Sequence, residues 1–130
     1  MEEALTALLL ADARVKQLVG DRVHWGRAPQ GERAPYLVLQ VIGGRPDYHA
    51  QGPSGLVDAR VQADSYGEKY LATKNLSDAV IALLSGYRGE VAGTRLQAGF
   101  VDAARDLPTE TDVKRLFRRS ADIIIWHSKL

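Results

Sequence analysis

Between Val57 and Ser65 apolar and polar residues alternate without a fault, with Val57, Ala59, Val61 and Ala63 set against Asp58, Arg60, Gln62 and Asp64. Successive side chains of a strand point to opposite faces, so this stretch reads as a strand with one buried and one wet face. The turn Gly52-Pro53-Ser54-Gly55 opens it. After Tyr66-Gly67 the period changes: Ala72, Leu76, Ala79, Val80 and Leu83 form one stripe, and Lys69, Lys74, Asn75 and Asp78 lie off it. That is the spacing of an amphipathic helix, here expected over Glu68 to Ser85 with Gly86 as its stop. A one-faced strand that leads into a one-faced helix makes the strand the floor on which the helix lies.

The rest of the chain extends this layout. Leu5, Leu8 and Leu9 fall at helical spacing behind Glu2 and Glu3, which favour a helix N-terminus. Asp12 is placed to cap a further helical stretch through Val15, Leu18 and Val19 that Gly20 ends. Arg22 to Trp25 is short and β-like, and Gly26 to Pro35 is a loop, because two Pro and two Gly bar regular structure. Tyr36 to Ile42 is apolar on both faces, as expected of a strand covered on both sides by this chain or by another. Arg45 to Gly55 reads as a long polar connection, and loops of such length are usually functional or mobile. Tyr87 to Gly93 reads as a turn-rich link, Thr94 to Asp102 as a strand, Asp106 to Asp112 as a polar turn, and Val113 to His127 as the last strand.

The expected fold is α+β: a mainly antiparallel sheet of four to five strands with helices packed on one face, in the order helix, three strands, helix, two strands. No linker divides the chain, so residues 1–130 form one expected domain. The Leu8/Leu9 and Leu76/Val80/Leu83 stripes are expected to cover Val57, Val61, Phe117, Ile123 and Ile125.

Composition narrows the chemistry. Without cysteine there are no disulfides and no thiolate zinc sites. A net charge of +1 argues against a chain built to coat nucleic acid or an acidic membrane. The apolar run Ala7 to Ala11 is too short to span a bilayer, and Glu2-Glu3 is the wrong flank for a signal peptide, so no membrane partner is expected.

The individual motifs do not add up to a reactive centre. His24, His49 and His127 share no ligand spacing. Ser54 lacks the glycine of a nucleophile elbow and precedes a strand. The glycines from Gly86 to Gly93 follow a helix rather than opening one, so they do not cradle phosphate. Asp102, Asp106, Glu110 and Asp112 resemble a solvated acidic loop. Lys114-Arg115 and Arg118-Arg119 are the one basic cluster, which a strand would split between two faces; Arg119, among apolar neighbours, fits an interface or a buried pair. No catalytic, cofactor-binding or metal-binding residue is assigned, and no cofactor is expected.

Four segments together resemble a known family: Ala34-Pro35-Tyr36-Leu37-Val38-Leu39-Gln40, Gly52-Pro53-Ser54-Gly55-Leu56, Arg60-Val61-Gln62-Ala63-Asp64-Ser65-Tyr66, and Ser120-Ala121-Asp122 with Ile125-Trp126-His127. They are similar to the tail completion proteins of long-tailed bacteriophages, also called tail terminators or tail-to-head joining proteins, with relatives in prophages and gene transfer agents. The likeness covers nearly the whole chain, including Asp21-Arg22-Val23 and Trp25 to Pro29, and is most specific from Gly55 to Tyr66.

The resemblance implies a structural protein of the virion, assembled in the host cytoplasm, and no catalysis. It implies a ring, typically of six copies, at the head-proximal end of the tail tube. Such a ring stops tube growth, meets the head–tail connector and lets DNA pass through its lumen without sequence readout. For a ring, Asp58, Arg60, Gln62, Asp64, Arg118, Ser120 and Asp122 are the candidates for a polar, charge-mixed lumen face. Arg45, Asp47, Tyr48, His49 and Gln51 are the candidates for docking onto the tube or the connector. The competing reading is a small nucleic-acid-binding module that uses Arg115, Arg118 and Arg119 of the basic last strand.

Overall fold

The computed structural model describes residues 1–108 and 116–130 of the chain. The N-terminal helical stretch divides where Asp12 stands. Helix α1 (Glu2–Ala11) ends at Asp12, whose extended backbone breaks the helix, and its carboxylate accepts a hydrogen bond from the Val15 amide at 3.0 Å to cap α2 (Ala13–Val19). Gly20, at φ +62, closes α2. Strand β1 (Val23–Trp25) follows, and the loop behind it is pinned at two points. Arg22 Nε donates to the Pro35 carbonyl at 3.0 Å, and the Glu32 carboxylate meets the His24 ring.

Strands β2 (Tyr36–His49) and β3 (Gly52–Gly67) form one long antiparallel hairpin around a turn at Ala50-Gln51. Helix α3 (Tyr70–Leu84) returns across the sheet, and Gly86, at φ +76, follows its end. Then come β4 (Gly89–Val91), β5 (Thr94–Leu107) and β6 (Phe117–Lys129). The six strands lie in the order β1-β2-β3-β6-β5-β4; β1 pairs with β2 in parallel and every other pair is antiparallel.

This corrects the expected architecture. The fold is α+β, but it has six strands and three helices rather than four to five strands in the order helix, three strands, helix, two strands, and the sheet curls into a half-barrel. Register shifts at Val41/Gly43 and Pro46/Tyr48 on β2, and at Leu96/Ala98 and Val101/Ala103 on β5, supply the physical means, since a bulge bends its strand and adds twist. The strand count rose because the link after α3 holds the three-residue β4, too short to show a period. The Arg45–Gly55 connection is itself the distal half of the β2–β3 hairpin.

The core lies between the helices and one face of the sheet. Leu5, Leu9, Val15 and Val19 join Leu76, Val80 and Leu84 over Leu37, Leu39, Val61, Ala63, Ala121, Ile123 and Ile125. Fully burying a Leu- or Val-sized side chain stabilises by about 1.5–3 kcal/mol, so these contacts supply most of the cohesion. Phe117 departs from its expected place. It is 46% exposed beyond the N-terminal end of α3, edge-on to Tyr70 at 5.7 Å. Helix and sheet approach closely at Gly99, where a Cβ would stand 2.2 Å from the Leu84 carbonyl oxygen.

Candidate functional site

The face turned away from the core carries the seven expected lumen residues side by side. On β3 they are Asp58, Arg60, Gln62 and Asp64; on β6, Arg118, Ser120 and Asp122. Registration places Asp64 opposite Ser120 and Gln62 opposite Asp122. The outer strands add groups that the sequence reading did not assign to this face. Arg45 of β2 reaches Asp58 at 3.5 Å, Asp102 of β5 holds Arg60 at 2.7 Å, and Arg105 of β5 holds Asp122 at 3.1 Å. Arg118 completes the set on Asp64 at 2.7 Å. Four carboxylates thus face four guanidinium groups, and these pairs leave no net charge.

The face is not uniformly wet. Asp64 and Ser120 are fully buried. Arg118 reaches over Asp64, and Gln62 donates to both its carboxylate oxygens at 3.1 and 3.2 Å. Arg118 also lies over the Tyr66 ring, 5.8 Å from its centroid, and Tyr66 stacks on Tyr36 at 4.9 Å. Burial pushes the phenols of Tyr66 and Tyr36 above their usual range, so both are neutral platforms at physiological pH. Asp64 and Ser120 therefore support this face from beneath and do not form its surface.

Further along, Leu56, Ala98, Phe100 and Trp126 line an open groove with Asp47, Ser54, Gln97 and Ser128. Of the five docking candidates, Asp47 lines this groove and the other four do not. Arg45, Asp47, Tyr48 and His49 sit on β2 and Gln51 in the turn, all exposed, with Tyr48 at 66%. Asp47 accepts from the Ser54 hydroxyl at 2.8 Å, and His49 Nδ1 accepts from the Gln51 amide at 3.1 Å. These residues belong to a projecting two-stranded arm and not to a loop.

The basic cluster is divided. Lys114 and Arg115 lie outside the described residues. Arg118 engages Asp64 on the polar face, while Arg119 pairs with Asp106 at 2.9 Å beside Tyr70, so both guanidiniums already have carboxylate partners. Among the described residues, no group of three or more His, Cys, Asp and Glu side chains is gathered to hold a metal ion. The sequence reading set Asp102 in a solvated acidic loop and did not single out Arg105, because the register shift between Val101 and Ala103 breaks the alternation of β5 there.

Comparison with known proteins gives this architecture its class. Residues 3–128 match the family described as "Tail completion protein gp17", and the chain belongs to that family. It is a structural protein of phage-type tails, its place is the tail of the virion, and its role is not catalytic. No curated protein matches the sequence. Among solved structures, a chain from the virion of a native gene transfer agent particle is similar over 99% of this chain and 92% of its own length, with a TM-score of 0.69 and 21% identity. At that identity the likeness concerns the fold.

Proposed function

We propose that copies of this chain close into a ring, of six in the family's usual manner, at the head-proximal end of the tail tube. The ring stops tube polymerisation and presents a surface to the head–tail connector. The polar face lines the lumen through which DNA passes, and the β2–β3 arm docks onto the tube or the connector.

The observation that carries this reading is the neutralised face. A DNA conduit must not hold phosphates, and affinity for DNA scales with the number of cations that neutralise phosphates. Here each of the four arginines already faces a carboxylate. The face is thus hydrated and charge-mixed, yet offers a passing duplex no net attraction. The same pairing weakens the case for a nucleic-acid-binding module.

Deleting the gene tests the role. Tails should grow abnormally long or fail to join heads, and infectious particles of normal tail length from the deletion strain would refute it.

A further inference from the structure

Both margins of the sheet are left half finished. On one side β1 pairs only with Leu37–Leu39, so β2 carries no strand on its outer edge from Gln40 to His49 among the described residues. On the other, β4 covers only Thr94–Leu96, and the Gly86 amide occupies the Gly99 carbonyl at 2.8 Å. From Phe100 to Leu107 the outer edge of β5 is likewise open among the described residues. Open edges offer rows of unused amides and carbonyls and invite a further strand. These two also display large apolar side chains: Val41 at 48% and Ile42 at 44% exposure on β2, and Phe100 at 54% on β5.

We infer that the open edge of β5 in one copy pairs antiparallel with the open edge of β2 in the next copy, continuing one sheet from subunit to subunit. This rests on the ring reading and specifies how the ring is joined.

Strand direction carries the argument. The pairs β2/β3, β3/β6 and β6/β5 are all antiparallel, so β2 and β5 run in opposite directions. Rotation about an axis roughly along the strands preserves direction, so β5 of one copy meets β2 of its neighbour antiparallel and the alternation continues unbroken. The contact joins two different edges, so each copy keeps one of each to offer and the series closes when the rotation closes. The four long strands β2, β3, β6 and β5 are then the repeating unit of the wall. Each edge is open over the C-terminal part of its own strand, and the stagger of a closed sheet of tilted strands permits such stretches to meet. Charge fits too. Arg45, held only at 3.5 Å by Asp58 and 87% exposed in its side chain, shares the polar face with Asp102 on the opposite margin. The exposed Val41, Ile42 and Phe100 would be covered along the seam.

Hydrogen exchange on the unaltered protein, free and assembled on tails or in rings, reads the seam directly. The outward-facing amides within residues 40–47 and 100–107, those not already paired with β3 or β6, should slow by at least about tenfold on assembly; rings that leave either set as fast as in the free chain overturn the inference while the ring reading stands. The absence of cysteine allows a second test. Gly43→Cys, at a site with no atom within 4 Å of a new Cβ, is mixed with Ala103→Cys under oxidising conditions. Covalent dimers should form in the mixture and from neither variant alone, and a dimer from Gly43→Cys alone would instead reveal a two-fold β2–β2 contact and overturn the inference. Failure to assemble at any concentration or on tails would end the ring reading itself, and this inference with it.

Discussion

Arg118 lies over Asp64 with its Nη2 2.7 Å from a carboxylate whose side chain is only 1% exposed. A buried carboxylate is tolerated because this guanidinium and the Gln62 amide satisfy it. Arg118→Met should therefore cost about 3 kcal/mol, the lower end of the usual range because water can reach the vacated place. Adding Asp64→Asn to that variant should recover part of the loss. Urea midpoints for the two single variants and the double variant decide the matter, and strict additivity would mean that the pair is not coupled.

Val61 is 1% exposed at the centre of the core face, between Val41 of β2 and Ile123 of β6. Val61→Asp places a charge there with no partner and should abolish cooperative unfolding. Urea midpoints that coincide with those of the unaltered protein would show that this side of β3 is not the buried one.

The close approach at Gly99 makes a narrower prediction. In Gly99→Ala the new methyl would meet the Leu84 carbonyl, a backbone atom at the end of α3 that must move away. A loss of about 2 kcal/mol is expected. Gly43→Ala, which has open space and no positive φ, should stay within about 0.5 kcal/mol of the parent. Equal melting temperatures for the two variants would contradict the packing described.

A pH effect is expected at His127. Burial first, and the N-terminal ammonium second, hold its imidazole below the usual range, with Glu2 acting weakly in the other direction. The folded chain thus takes up this proton less readily than the unfolded chain. The stability linked to His127 is fully present above about pH 6.5 and is lost as pH falls through that value towards the lowered one. His127→Gln should flatten the decline between pH 7 and 5 in a series of urea titrations. An unchanged slope would dissociate the histidine from it.

What the sequence disclosed follows a physical line. Val57 to Ser65 and the stripe of α3 were legible because each element buries one face, and burial writes a period into the residues. The break at Asp12 was legible because a cap is a local device. The β2–β3 arm was not. Its residues from Val41 to Gly55 are exposed apart from a partly covered Gly52, so backbone pairing alone shapes them and leaves no alternation to read. The same holds for the ion pairs from β5, whose residues a bulge moves out of step. The seven face residues were found by alternation, but that Asp64 and Ser120 lie beneath others depends on long side chains folding over them, which no period records.

A density map of the assembled tail end, resolved well enough to place strands and helices, tests the central proposition most directly. Copies should surround a channel whose wall is the charge-mixed side of the sheet, with Arg60, Gln62 and Asp122 facing inward and α3 outside. A channel walled by α3, with those three side chains on the outer surface of the particle, would contradict it.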